Sequence, residues 1–380
     1  MTHATSIPFN RPVPSGNEFD YIREAIEAGQ LAGDGAFTER CEALILQMVG
    51  AKSAHLTHSC TAALEMAAIL CDLGPGDEVI MPSFTFVSTA NAVALRGATP
   101  VFVDIEQETL NIDPERIANA ITSKTKAIWP IHYAGVVADM TEISGLAKAH
   151  NLLVVEDAAQ ALGSIRDGVP AGRFGDMAAF SFHETKNVIS GEGGALVINR
   201  PDLTERAEII REKGTNRSQF YRGMVDKYSW VDIGSSFLPG ELVAAFLCAQ
   251  LEAAPSILRD RLGTWTRYHN AFEAAEANGL CIRNKTPDSC KPNAHMYYLL
   301  LPSQAIRQTL ITSLKARGIT APFHYVPLHS STYGQKCSRT DGLMTITDDV
   351  SNRLMRLPLF PGLGDDVDIV IDEVLRALKR

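Results

Sequence analysis

The chain has no surplus of basic residues, no long apolar run and no paired cysteines, and each absence removes a class of function. Lysine and arginine number 35 against 44 aspartates and glutamates, a formal charge of −9. A general nucleic-acid binder draws phosphate to a broad excess of positive charge, so that role is excluded and any anionic ligand must be held by a local cluster. No apolar run approaches the roughly 18 residues that a spanning helix needs. The opening MTHATSIPFNRP lacks the charged start and apolar core of a secretory signal. No membrane partner and a cytoplasmic location are therefore expected. The seven cysteines, Cys41, Cys60, Cys71, Cys248, Cys281, Cys290 and Cys337, are odd in number, widely spaced and without a CxxC pair. They read as reduced thiols, and no metal centre is expected. Neither an internal repeat nor a low-complexity tract interrupts the chain.

What is present is the pattern of a packed α/β protein. At 380 residues the chain exceeds what one core usually supports, and 46% hydrophobic with 21% charged residues is ordinary globular composition. Short β-branched runs, DEVIMP, TPVFVDI, TKAIWPI, NLLVVED, MAAFSF and GALVIN, alternate with stretches of helical apolar spacing at 61–73, 88–97 and 140–151. That alternation predicts a mostly parallel sheet with crossover helices. Beyond PGELVAAFLCAQLEAAP the pattern changes to a long amphipathic helix, a strand-like HMYYLLL and a further helix at 304–317. A boundary near Pro255 is expected, with residues 1–255 forming a large domain and 256–380 a smaller C-terminal α/β domain.

Ligands of open α/β sheets collect at the carboxyl ends of the strands, and several polar residues converge there. AHLTHSCTAALEM delivers Ser59, Cys60 and Thr61 to a helix start, where unpaired N–H groups and the helix dipole favour an anion. Alone, this turn reads first as a simple N-cap, as most such sequences do. NLLVVED ends in Glu156 and Asp157, with Gln160 close behind; MAAFSF leads to Ser181, His183 and Lys186; DEVIMP runs into Ser83, Thr85 and Phe86. An aspartate beside a pyridinium nitrogen keeps it protonated, and a desolvated lysine has a freed amine for Schiff-base chemistry. Each residue has an ordinary structural reading. Phosphate cradle, ring-sized aromatic, carboxylate and lysine in that order point together to a pyridoxal-phosphate site.

The motifs PSFTFVSTANAV, VFVDI, PIHYAG, VVEDAAQ, FSFHETKN and GEGG closely resemble those of the DegT/DnrJ/EryC1/StrS sugar aminotransferases, over nearly the whole chain. The resemblance implies a fold-type I, aspartate-aminotransferase-like enzyme using pyridoxal 5'-phosphate, a homodimer with sites between subunits. It implies that Lys186 bonds the cofactor and moves protons, and that Asp157 pairs the ring nitrogen. It further implies that Phe86 stacks on the ring and Gln160 borders it, and that Ser59, Cys60, Thr61 and Ser181 hold the phosphate. Relatives with histidine at the lysine position are dehydratases, so Lys186 implies a transaminase. REKGTNRSQFYRGMVDKYSWVDIGSS resembles the branch that aminates the C4 ketone of dTDP-4-dehydro-6-deoxyglucose with L-glutamate, giving dTDP-4-amino-4,6-dideoxygalactose for enterobacterial common antigen or O-antigen. The opposite C4 epimer, a UDP or GDP sugar, and a non-catalytic nucleotide-sugar binder stay open.

Arg211, Lys213, Arg217 and Arg222 form a positive cluster that either receives the substrate diphosphate or the glutamate carboxylate, or is a solvated loop. His324, Tyr325 and His329 suit a sugar-binding edge or a structural strand, and His183 and Glu184 either read the sugar or brace their loop. Where many relatives give an asparagine to the neighbouring subunit's phosphate site, this chain has Leu238, with Ser235 and Ser236 as candidate substitutes.

Overall fold

Runs such as EVIMP and GALVI carry apolar side chains on both faces, as strands buried from both sides must. Val79, Ile80 and Met81 in the first and Ala195, Leu196, Val197 and Ile198 in the second are fully buried. The computed structural model describes residues 6–379. Its strands are β1 Ser53–Thr57, β2 Glu78–Pro82, β3 Thr99–Val103, β4 Thr125–Ile128, β5 Leu153–Asp157, β6 Ile165–Arg166, β7 Val169–Pro170, β8 Met177–Ser181, β9 Gly194–Ile198, β10 Ile282–Arg283, β11 Cys290–Lys291, β12 Tyr297–Leu300, β13 Arg339–Thr340 and β14 Leu354–Leu357.

Eight of them form one sheet in the order β1-β9-β8-β5-β4-β2-β3-β13. All neighbours from β8 to β13 pair in parallel, while β9 runs antiparallel to both β8 and β1. The sheet is therefore mixed, with one reversed strand in an otherwise parallel array. From β2 the chain steps outward to β3 and then back across β2 to β4, β5 and β8. That reversal opens a crevice at the carboxyl ends of β2, β4 and β5, the place where such sheets bind ligands.

The crossover helices start where their capping residues dictate. Ser59 Oγ accepts from Ala62 N ahead of Cys60–Leu70, and Asp139 accepts from Glu142 N ahead of Met140–His150. Asn151, at φ 55°, closes the latter in the left-handed region. Helix Val87–Ala94 follows Phe86 with no side-chain cap. Pro255 lies inside a single helix, Glu241–Ala271, whose buried face (Ala244, Leu247, Cys248, Leu251) packs in the large core with Phe37 and Ile45. This helix reaches the length and apolarity of a membrane span, unlike the expectation from run length alone, but 56% of its most apolar window is buried within the protein.

Two apolar clusters cover the faces of the large sheet, and a third gathers around the small sheet β10-β12-β14 with Tyr268, Tyr297, Leu357 and Val370. Ile7 joins this third cluster, pairing its backbone with Gly318 and Thr320. From there the N-terminal segment leads back toward the crevice.

Candidate active site

A cavity of about 730 Å³ lies at the carboxyl ends of the large-sheet strands, roofed by Phe9, Phe323, Tyr325 and Arg356 from the chain termini. Its floor is set by register. Thr57, Gly194 and Ser181 lie side by side across β1, β9 and β8, so the turn after β1 and the end of β8 share one edge. Gly194 is indispensable to that edge: a Cβ there would lie 2.4 Å from Cys60 N and 2.5 Å from Ser59 O. The turn can therefore sit directly on the strand.

Cys60 and Thr61 begin their helix, so their N–H groups have no carbonyl four residues earlier and face the cavity with the positive end of the helix dipole. Ser59 Oγ is occupied as an acceptor by Ala62 N, which leaves its own hydrogen to donate. Thr61 Oγ1 meets Ser88 Oγ at 2.7 Å, and Ser181 completes the hydroxyl set. Ser59 thus caps its helix and, with Cys60 and Thr61, also lines the cavity. The Cys60 thiol is pushed well up by burial and by the Asp157 charge, against the pull of Lys186, and stays neutral.

At the end of β5, consecutive side chains point to opposite faces. Glu156 turns away from the cavity and is fully buried, accepting from His132 Nε2 at 2.8 Å and from the N–H groups of Gly172, Phe174 and Gly175 at 2.7, 2.8 and 2.6 Å. Asp157 faces the cavity. Its Oδ2 accepts from Thr89 Oγ1 at 2.7 Å and its Oδ1 from Ala159 N at 3.2 Å. Gln160 spans the site, accepting from Ala134 N at 2.7 Å and donating to the Tyr325 hydroxyl at 2.9 Å. Phe86 is 57% exposed, so it is not core filler; it presents its ring to the cavity at 6.4 Å from the Tyr325 ring.

Lys186 stands on the turn after β8, its N–H donating to His183 O at 2.9 Å. It is half-buried, and what surface it keeps opens into the cavity. Burial lowers its pKa; the negative charge of Asp157 acts the other way, and Arg356 adds to the lowering. A neutral amine is thereby favoured.

His183, His324 and Tyr325 also border the cavity. His183 Nδ1 lies 2.9 Å from Thr185 Oγ1 and accepts from Thr185 N, so it braces its own turn as well. His324 stacks on Tyr325 at 3.6 Å and lies 2.7 Å from the Tyr133 hydroxyl. The remaining candidates are not brought in. His329 lies outside, between Ser83 Oγ at 2.8 Å and Asp348 at 3.4 Å. Arg211 is buried against Asp34 and Glu42, at 2.5 and 2.7 Å, and its charge is spent there. Lys213 leans on Glu212, Arg217 on the Tyr221 hydroxyl, and Arg222 on Glu208. Leu238 packs toward Gly33, and Ser235 and Ser236 are exposed away from this cavity.

Four cavity residues were given no role of their own by the sequence: Ser88 and Thr89, inside the motif PSFTFVSTANAV, His295, at the head of HMYYLLL, and Arg356. Arg356 donates through Nε and Nη2 to Phe323 O at 3.2 and 2.9 Å and lies 4.5 Å over the Phe9 ring. Burial lowers its pKa, yet it remains a cation in the roof.

The model of the DegT/DnrJ/EryC1/StrS aminotransferase family matches residues 14–375. The spore coat polysaccharide biosynthesis protein SpsC of Bacillus subtilis (strain 168) is 34% identical over 98% of this chain and 97% of its own. The dTDP-4-dehydro-2,3,6-trideoxy-D-glucose 4-aminotransferase of Saccharopolyspora spinosa is 31% identical over 98% and 97%. Among solved structures, the PLP-form of the putative sugar aminotransferase Spr1654 from Streptococcus pneumoniae superposes with a TM-score of 0.89, at 26% identity, covering 99% of each chain.

Proposed function

Because the chain belongs to the DegT/DnrJ/EryC1/StrS aminotransferase family, we propose that this pyridoxal-phosphate-dependent sugar aminotransferase acts on the C4 ketone of dTDP-4-dehydro-6-deoxy-D-glucose. L-Glutamate gives the amino group, and the products are dTDP-4-amino-4,6-dideoxy-D-galactose and 2-oxoglutarate. The observation that carries this reading is the joining, in one cavity, of a helix N-terminus seated on Gly194, the buried carboxylate of Asp157 and an amine of lowered basicity at Lys186. These residues fit the cofactor: an anion cradle at one end, a fixed negative charge deep in the floor and a nucleophilic amine at the rim. The 31% identical Saccharopolyspora spinosa relative, named for amination at C4 of a dTDP sugar, supports the position and the nucleotide.

Pyridoxal phosphate, when bound, supplies an aldehyde carbon that carries the amino group between substrates and a ring that takes up the electron pair of the broken C–H bond. The N–H groups of Cys60 and Thr61, with the hydroxyls of Ser59, Thr61 and Ser181, hold its phosphate. Asp157 favours the protonated ring nitrogen, and Thr89 fixes the carboxylate that does so. Phe86 and Gln160 border the ring. Lys186, favoured as the neutral amine, takes a proton from Cα of glutamate and later returns one to C4 of the sugar. His183, His324, Tyr325 and Arg356 are left to orient the two substrates. The division at Pro255 belongs to this reading: residues 1–255 carry the cofactor, and 256–380 close the cavity over it.

A homodimer with sites between subunits is part of the same proposal. Tyr221, Met224, Tyr228 and Trp230 expose large side chains within one short stretch, 221–230, Trp230 by 81%, which suits a covered face. The product would feed cell-surface polysaccharide, with the enzyme in the cytoplasm. Purified protein should be yellow and should bleach on adding glutamate. Protein that stays colourless with added pyridoxal phosphate defeats the reading. Proton NMR of the product from dTDP-4-dehydro-6-deoxy-D-glucose then reads the C4 configuration; the gluco epimer, or turnover only of UDP or GDP sugars, corrects it.

A further inference from the structure

Behind Lys186 lies a buried polar network whose outlet is one atom. Asn187, next in the chain, donates through Nδ2 to Asn293 O at 2.7 Å, which turns its Oδ1 toward His295 Nδ1 at 3.1 Å. That contact needs a hydrogen, and an amide oxygen has none, so His295 must carry its proton on Nδ1. The backbone on which His295 rides is pinned as well. Arg261, fully buried on helix Glu241–Ala271, donates through Nε to Ala294 O at 3.2 Å and through Nη2 to His295 O at 2.6 Å. Ala294 is held at φ 52°, and Asn293 Nδ2 donates to Gln160 O and Leu162 O at 2.9 and 3.0 Å. Neither the ring nor its backbone has freedom to turn over.

The other ring nitrogen, Nε2, has no protein partner, yet it is not among the buried polar atoms left unpaired. It opens into the cavity that His295 lines together with Lys186. Burial, with the charges of Lys186, Arg261 and Arg356, drives the imidazole well below its usual pKa, so the ring stays neutral. The result is a bare, fixed lone pair facing the cavity that Lys186 also lines. It can accept a hydrogen bond and cannot donate one, so it cannot serve a ketone oxygen or a carboxylate.

Lys186 must reach the carbon that receives the amino group, and the sugar donors nearest that carbon are those on its two flanking carbons. In a 4-keto-6-deoxyhexose, C5 carries the methyl group and the ring oxygen and has no hydroxyl; C3 has one. We propose that His295 is a specificity-determining residue whose Nε2 accepts the hydrogen of the sugar hydroxyl adjacent to the reacting ketone. Asn187 and Arg261 are positioning residues that fix its tautomer and place. This inference rests on the proposed substrate class, and the glutamate half-reaction tests that reading separately because glutamate has no hydroxyl.

The test compares dTDP-4-dehydro-6-deoxy-D-glucose with the same nucleotide sugar lacking the C3 hydroxyl. Wild type should favour the hydroxylated substrate in kcat/KM by about 10- to 100-fold, the range for losing one hydrogen bond in a desolvated site. His295→Phe should lose that factor on the hydroxylated substrate alone, read as kcat/KM for the two sugars side by side. His295→Gln, whose amide can donate to Asn187 and turn its oxygen to the cavity, should recover part of the preference. Nitrogen NMR of the histidine rings should show one protonated and one bare nitrogen for His295, with the bare one shifting on adding the hydroxylated sugar and not the deoxy one. Wild type that treats both sugars alike overturns the proposal, with no variant needed. So does an equal loss on both substrates in His295→Phe. Failure of glutamate to bleach the wild type defeats the transaminase reading instead.

Discussion

Thr89 shows how much one hydroxyl can decide. Asp157 is almost fully buried, and a carboxylate there is tolerable only with donors; Thr89 supplies the shorter of its two hydrogen bonds, 2.7 Å. Thr89→Val keeps the shape and removes the donor. A hydrogen bond to a charged group is worth about 1.5–3 kcal/mol, so cofactor affinity or turnover should fall by about 10- to 100-fold, measured by cofactor titration and steady-state rates. An unchanged variant would mean that Asp157 needs no fixing. Lys186 gives a prediction of opposite kind, on stability. Its pKa lies below the ordinary 10.5 because burial penalises the ammonium. Between the lowered value and 10.5 the unfolded chain binds more protons than the folded one, so the apoprotein gains stability as pH rises through that window. Lys186→Met removes the buried charge. The apo variant should melt above wild type at neutral pH, and the gap should close as pH approaches 10.5; melting curves at several pH values decide it, and a gap independent of pH contradicts the burial argument.

At the scale of elements, the site depends on one strand edge. Gly194→Ala would drive a methyl group into the backbone of Ser59 and Cys60, neither of which can move without lifting the helix start off β9. Overpacking of this sort costs about 1–3 kcal/mol. The variant should therefore melt several degrees lower and bind pyridoxal phosphate much more weakly, while Gly191→Ala, which meets nothing within 4 Å and suffers only its φ of +81°, should disturb the phosphate site less. Equal cofactor affinity in the two would show that close approach is not what Gly194 provides. Elements of this kind are unevenly legible in sequence. Strands whose side chains are buried on both faces announce themselves by composition, and their carboxyl ends brought Ser181, Asp157 and Lys186 into view. β1, SAHLT, is short and half polar, and it becomes a strand only by pairing with β9. Ser88 and Thr89 looked like ordinary helix residues, since nothing local says that their helix lies against the end of β5. The boundary near Pro255 rests on the change of pattern after residues 239–255; packing carries one helix, Glu241–Ala271, through that position, although proline removes an N–H and crowds the preceding turn.

Across the whole molecule, the partners of a charge are set by the fold and not by its neighbours in the chain. The arginines at 211, 217 and 222 drew notice as a positive island in an acidic chain, but a sequence does not reveal what a charge pairs with. Asp34 and Glu42, which bind Arg211, lie 177 and 169 residues away. His295 and Arg356 were silent for the same reason, reaching the cavity only once the C-terminal segments fold over the sheet. The stretch around those arginines has a different significance in its apolar residues. Phe220 and Tyr228 meet edge to face at 5.8 Å between ring centroids, and Tyr221, Met224 and Trp230 are exposed in the same stretch. Exposed aromatic and methionine side chains are what protein interfaces enrich, and a stable interface buries about 800 Å² per partner. If this face closes a second copy's cavity, Trp230→Glu should cost the monomer little, because the side chain is 81% exposed. In the dimer it would place a charge in an apolar contact. Sedimentation should then show a shift toward monomer at micromolar concentration, with turnover falling in parallel and the melting temperature of the monomer nearly unchanged. A variant that stays dimeric and fully active would place the interface elsewhere, and one that turns monomeric yet keeps full turnover would show that each cavity is complete within a single chain.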